Sequence, residues 1–301
     1  MANLREIRRR IAGIRSTSKI TQAMKLVAAA KLRRAQDSII SARPYARHLS
    51  GLMKHMLARV DRASLPLWFE GRDDAGVLIV VVTADRGLCG AFNTNVIKAA
   101  VDRIERVYAD KHAEGKVRLV CVGRRGYQFF VKRDIEVVGK HLGVVNAPDH
   151  AAAKVIIDEI LATYTSGEIG TVEVIYNEFK SIIQQKLQVE TLLPIPAEEV
   201  PAVEAHGHTF HSFVDYIYEP SEQALMEFLI PKQLNFQMLR VLLESNAAEQ
   251  GARMTAMDAA TSNAKDLINR LQLEYNSARQ ASITKEILEI VGGAEALRKS
   301  D

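Results

Sequence analysis

The chain has 301 residues, 25% of them charged, 48% apolar and 6% aromatic, with a net charge of +4. That is enough to bury a sizeable core, and it excludes a collagen, a small disulfide scaffold and a wholly disordered chain. The charge is unevenly spread: residues 1–36 hold ten Lys or Arg against the single acid Glu6, so that segment carries +9 and the remainder −5. Two cysteines, Cys89 and Cys121, stand without metal-ligand spacing, which fits a reducing compartment. The longest apolar run, Val77 to Val82, is far short of the ~18 residues of a membrane span, so no direct membrane insertion is expected. The basic start also has the composition of a mitochondrial transit peptide, but its pattern continues beyond 30 residues.

From Leu4, alternating steps of three and four reach Ile7, Ile11, Ile14, Ser18, Thr21, Lys25, Ala28, Leu32, Ala35 and Ile39. This is a heptad seam, apolar at both ends and polar in the middle, and it predicts one long helix. Asn3 and Glu6 form a capping pair at its start, and Pro44 is expected to kink rather than end it, because Leu49, Leu52, Met53, Met56, Leu57 and Val60 resume the stripe. The stalk helix is assigned to residues 1–60.

Residues 75–195 change period and predict a small Rossmann-like α/β domain with a mainly parallel sheet. Val77 to Thr83 and Val117 to Val122 read as fully buried strands, with a helix over Val96 to Tyr108. Further helices are expected over Gln128 to Lys132 and His150 to Tyr164, a short strand over Glu136 to Val138, and a closing hairpin over Val172 to Phe179 and Leu187 to Leu193. Residues 196–220, rich in Pro, Glu, His and Gly, read as a linker.

Residues 221–301 supply a second long helix, reading from Pro231 to a stop at Gly292 and Gly293. Its expected seam is small, Ala248, Ala252, Ala256, Ala259, Ala260 and Asn263, before Leu267, Leu271, Ile283, Ile287 and Leu288. A helix entering the domain and another leaving it bury both seams only by pairing antiparallel. The expected product is a coiled-coil stalk on which the C-terminal helix projects past the N-terminal one.

Three sites invite a chemical reading. Asp85-Arg-Gly-Leu-Cys-Gly90 puts glycines where a strand feeds a helix, but neither GxGxxG nor GxxxxGK[ST] is present, and such a turn needs glycine for its own geometry. A small enzyme using Asp85, Arg86 and Cys89 is the alternative this turn offers, although no base accompanies Cys89. His206, His208 and His211 with Glu204 have zinc-compatible residue types inside a polar linker. The basic first helix suits either nucleic acid or an acidic protein partner, and it lacks the basic-aromatic interleaving of many nucleic-acid binders.

Three segments together resemble the gamma subunit of the rotary F-type ATP synthase. They are LREIRRRIAGIRSTSKITQAMKLVAAAKLRRAQ (Leu4 to Gln36), TADRGLCGAFNTN (Thr83 to Asn95) and ARMTAMDAATSNAKDLINRLQLEYNSARQASITKEILEIVGGAEAL (Ala252 to Leu297). The resemblance implies a non-catalytic central shaft that transmits torque between a proton-driven membrane ring and a catalytic head. Its implied partners are the alpha and beta subunits, the epsilon subunit and the c-subunit ring, with no nucleic acid, no metal and no cofactor. It carries beta-subunit contact over to Met24 and Lys25, facing Arg279, Gln280 and Thr284, and a pivot tip over to Ile283, Ile287, Leu288, Ile290 and Val291. The epsilon subunit and ring are expected near residues 200–215. The start MANLREIRRR shows no presequence, which points to the cytoplasmic face of a bacterial plasma membrane.

Overall fold

A computed structural model describes residues 4–57, 65–133, 135–195, 219 and 221–298. These fall into two compact units, Ala28–Arg253 and a second made of Met1–Val27 with Met254–Asp301. The linker expected over residues 196–220, with its three histidines, lies outside the described residues except for Glu219.

The larger unit is built on a five-stranded sheet. Its strands are β1 (Gly76–Val82), β2 (Val117–Val122), β3 (Glu136–His141), β4 (Ile169–Phe179) and β5 (Gln185–Leu193), in spatial order β3-β2-β1-β4-β5. β1 pairs parallel with both β2 and β4, β2 pairs parallel with β3, and β5 closes the sheet antiparallel to β4. The continuous apolar run of β1 follows from its central place, since every one of its residues is buried. Leu78, Val80 and Val82 enter one core with Val120, Val174, Ile156, Ile160 and Met238, while Val77, Ile79 and Val81 enter the opposite core with Val96, Ala100 and Phe130.

Three helices connect the strands: α2 (Phe92–Asp102), α3 (Arg124–Phe130) and α4 (His150–Thr165). Asp149 caps α4 by accepting a hydrogen bond from the Ala152 amide at 2.7 Å. α2 starts four residues earlier than expected and passes into a π-helical turn, Arg103–Val107, with a further short helix, Ala109–Ala113, behind it. Gly123 ends β2 with φ +94°, where a Cβ would stand 1.9 Å from the Thr83 carbonyl oxygen, so only glycine fits.

The two long helices are α1 (Leu4–Leu57) and α5 (Glu222–Arg298). α1 runs through Pro44. α5 begins nine residues before Pro231 and passes through Gly292 and Gly293, so neither signal bounds it as expected. Met226, Ile230, Leu234 and Met238 keep one buried stripe across Pro231. A glycine costs a helix only about 1 kcal/mol relative to alanine, too little to stop one this long.

Within the smaller unit the helices run antiparallel. Arg8 Nη2 donates to Tyr275 Oη at 2.6 Å, the Thr21 and Thr261 hydroxyls lie 2.7 Å apart, and Lys25 Nζ meets Asp258 Oδ1 at 2.6 Å. The α1 seam is the one the heptads predict: Ile7, Ser18 and Thr21 are buried, and Leu4, Ile11, Ile14 and Lys25 are half-buried. On α5 the seam is shifted from the expected set. Met257, Thr261, Ala264 and Leu271 are buried, whereas Ala259, Asn263 and Leu267 face outward.

Candidate functional site

In an open α/β sheet a ligand binds beyond the carboxyl ends of the strands, where connections leave to opposite sides. Here that place lies between β1, which connects to β2, and β4 on its other flank. The polar side chains of Asp85, Thr83 and Asn93 there are engaged by backbone amides. The Asp85 carboxylate accepts from the Arg124 amide at 3.0 Å, the Gly143 amide at 3.2 Å and Asn146 Nδ2 at 2.7 Å, tying three strand-end turns together. Thr83 Oγ1 accepts from the Gly126 amide at 2.9 Å, and Asn93 Oδ1 accepts from the Ala84 amide at 2.8 Å.

Cys89 is buried and accepts a hydrogen bond from Asn93 Nδ2 at 3.2 Å. Burial pushes its thiol pKa up, and Arg253 only partly offsets this, so the group stays a thiol at neutral pH. Cys121, inside β2, is pushed by burial to about 12.

The crevice itself is filled by α5. Arg253 Nη1 donates to the Gly87 carbonyl at 2.6 Å and its Nη2 to Glu249 Oε1 at 2.6 Å. Asn246 Nδ2 donates to the Val145 carbonyl, and Ala248 packs against Ala84, Cys89 and Phe92. The alternative of an enzyme acting through Asp85, Arg86 and Cys89 is therefore overturned. The carboxylate is committed to backbone amides, the thiol is buried and protonated, and a helix of the same chain takes the ligand's place. Sequence reading missed Asn246, Glu249 and Arg253, although polar residues interleaved with the apolar Val241, Leu242, Leu243, Ala247 and Ala248 mark buried hydrogen-bonding positions. Glu249 is the most constrained of them: burial raises its pKa against the pull of Arg253, and its Oε2 has no hydrogen-bond partner.

What the crevice leaves accessible is one exposed side chain on a constrained backbone. Leu88 has φ +64° and is 67% exposed at the apex of the turn, beside the exposed Arg86. Other apolar side chains more than half exposed are scattered over the chain, Ile183 between β4 and β5 and Val155 of α4 among them, and on α1 they include Ile20, Leu26 and Val27.

The expected contact residues fall at two separate levels of the smaller unit. Met24 and Lys25 are half-buried, with Lys25 bound to Asp258. Arg279, Gln280 and Thr284 are exposed 21 or more residues further along α5, about 30 Å away at ~1.5 Å per residue. The two sets do not face each other, because the antiparallel register puts residue 258 beside residue 25 and residue 275 beside residue 8. Ile283, Ile287, Leu288, Ile290 and Val291 follow, all exposed, with Ile290 at 71%. This is the end of α5 that extends beyond the first turn of α1 in that register.

Among the described residues no cluster of three or more His, Cys, Asp or Glu is arranged to hold a metal ion, and no helix is long and apolar enough to cross a membrane. A sheet whose ligand crevice is closed by its own chain, joined in sequence to a polar-seamed antiparallel helix pair, defines a mechanical or interaction protein rather than a catalyst. A family model described as ATP synthase matches residues 3–297. Gamma chains of ATP synthase from Chloroherpeton thalassium and Prosthecochloris aestuarii are 52% and 50% identical, each over 99% or more of both chains. The chain of a Euglena gracilis mitochondrial ATP synthase structure, solved with OSCP, F1 and c-ring, superimposes with a TM-score of 0.65. It covers 98% of this chain and 94% of its own at 18% identity, which is a likeness of fold. The chain belongs to the ATP synthase gamma chain family, whose members are non-catalytic subunits of the central stalk.

Proposed function

We propose that the chain is the central rotor shaft of an ATP synthase, coupling proton translocation through a c-subunit ring to ATP synthesis or hydrolysis in an alpha/beta head. The observation that carries this reading is the combination of a closed ligand crevice with a long helix pair whose end is apolar and unpacked. The chain makes and breaks no bond. It acts by presenting different faces to partners, and a shaft with differential contacts to their conformers shifts their populations reciprocally. The complex is membrane-bound, with this subunit peripheral to it on the cytoplasmic face of a bacterial plasma membrane.

Within that reading Met24, Lys25, Arg279, Gln280 and Thr284 contact beta subunits at two levels of the shaft. Ile283, Ile287, Leu288, Ile290 and Val291 turn as the pivot tip inside an apolar sleeve. The epsilon subunit and ring lie near residues 200–215. The ten basic residues of the first 36 attract acidic loops, and exposed ion pairs suit rotation because each is worth only ~0–1 kcal/mol and exchanges readily. The residue ranges 1–60, 75–195, 196–220 and 221–301 then serve as N-terminal stalk, α/β domain, linker and C-terminal stalk.

Reconstitution with alpha and beta subunits tests the proposal. Turnover of ATP is expected to depend on the chain, while the chain alone hydrolyses none. Arg279→Ala with Gln280→Ala is expected to lower that turnover by about tenfold, the equivalent of one lost charge-assisted contact of ~1.4 kcal/mol. A head that neither binds the chain nor responds to it rejects the shaft reading.

A further inference from the structure

Arg240 stands in the most apolar part of α5, with Leu239, Val241, Leu242 and Leu243 buried around it. Arg240 itself is half-buried, its side chain 35% exposed, and its charge is paired rather than left to water alone. The pairing here draws on three elements. Arg240 Nη1 donates to Tyr176 Oη of β4 at 3.0 Å, Nη2 donates to Glu190 Oε2 of β5, and Glu244 Oε2 lies 3.5 Å from Nη1. Tyr176 Oη in turn donates to Glu190 Oε1 at 2.6 Å. Guanidinium, carboxylate and phenol thus close a ring that joins one helix to both strands of the terminal hairpin.

That ring differs in kind from the contacts around it. Apolar packing between α5 and the sheet resists separation, but it is non-directional. A planar guanidinium fork has fixed donor directions, so it also resists sliding and twisting. β5 gains from such a tie because, like β3 at the other edge of the sheet, it pairs its backbone on one side only, with β4.

We propose that Arg240 is the torque joint between α5 and the β4–β5 hairpin, a positioning residue that makes sheet and shaft helix turn as one body. The inference rests on the shaft reading and adds where the load crosses. A load on the sheet reaches α5 through the Arg240–Glu190–Tyr176 ring, and without that ring the hairpin shears against the helix while the apolar core stays closed.

The test uses the complete ATP synthase in vesicles and on a surface, with a bead on Lys154→Cys of the exposed face of α4 reporting angular fluctuation against a fixed head. Arg240→Met keeps the apolar stem and removes the fork; Arg240→Lys keeps the charge. Arg240→Met is expected to leave ATP hydrolysis within about twofold of wild type, to widen the angular variance about twofold and to lower proton pumping against a gradient about threefold, with Arg240→Lys in between. A merely stabilising role would change the melting temperature and leave the variance of the folded complex unmoved. Unchanged variance and pumping in a folded Arg240→Met complex overturn the joint. If that variant fails to assemble, Glu190→Gln decides: widened variance supports the joint, and wild-type variance overturns it. A wild-type complex whose hydrolysis ignores the chain rejects the shaft reading itself, an outcome read before any variant is compared.

Discussion

The two units of this chain are held together by different means. In the unit Ala28–Arg253, β1 is buried along its whole length and the buried carboxylate of Glu173 is bonded by both Arg103 and Tyr108. In the unit of Met1–Val27 and Met254–Asp301 the seam centres on Ser18, Thr21 and Thr261, and its cross-helix ion pair, Lys25 with Asp258, stands open to water. The first unit has a buried apolar core on both faces of its sheet. The second has a thin seam of small and polar residues, with Ile283 to Val291 left uncovered, as expected of a surface completed by partners.

The comparison is broken most directly in the sheet. Ile79 is wholly buried in the central strand, and Ile79→Ala leaves a cavity that the rigid sheet cannot close. A loss of about 3–4 kcal/mol is expected, read as a lower urea midpoint with unchanged slope. A loss below 1 kcal/mol would mean that the sheet relaxes as freely as the stalk.

The next largest effect concerns the buried carboxylate. Arg103 Nε donates to Glu173 Oε2 at 2.8 Å, Nη2 donates to Oε1, and Tyr108 Oη donates to Oε1 at 2.7 Å. Glu173 is 2% exposed, so Arg103→Met strands a negative charge at a cost of about 2–3 kcal/mol. The same site has a pH signature. Burial, then the Glu173 hydrogen bond and charge, push the Tyr108 phenol to about 12 from its usual 10. Between those values the native state holds a proton that the unfolded state has lost, so stability falls as pH rises from 10 to 12. Tyr108→Phe is expected to remove that share of the alkaline slope, measured as the difference between the two proteins' unfolding free energies.

The parts of this fold legible in the sequence are those set by a single period. The α1 heptads named the buried positions from Ile7 to Ala35, and the runs Val77–Val82 and Val117–Val122 named the two central strands. On α5 the small residues misled, because alanines occur on several faces and Ala259 faces water while Thr261 and Ala264 form the seam. The site was legible only as a turn with glycines. Its closure depends on Asn246 and Arg253, more than 100 residues from the backbone groups they bind, and no local pattern encodes such a pairing. The separation of Met24 and Lys25 from Arg279 was hidden for the same reason, since antiparallel register is fixed by which seam residues meet.

The smallest effect tests the stalk seam on its own terms. The Thr21 and Thr261 hydroxyls face each other at 2.7 Å, and each also lies within hydrogen-bond reach of a backbone carbonyl of its own helix, Ser18 and Met257. Thr21→Val deletes one hydroxyl, but Thr261 keeps its bond to Met257, so the loss is expected to be only about 1 kcal/mol. Replacing both with valine removes the pair together and substitutes apolar contact of the same shape, which is nearly neutral by the same reasoning. The singles and the double therefore form a cycle whose coupling isolates the bond across the seam, read by hydrogen exchange at residues 18–25. A coupling near zero would mean that the helices are held by packing at Ile7, Met257 and Leu271 and by the outer contacts Arg8–Tyr275 and Lys25–Asp258. A coupling near 1 kcal/mol means that a buried polar contact helps to fix register in a seam too small to fix it by size, which is the property a stiff but thin shaft requires.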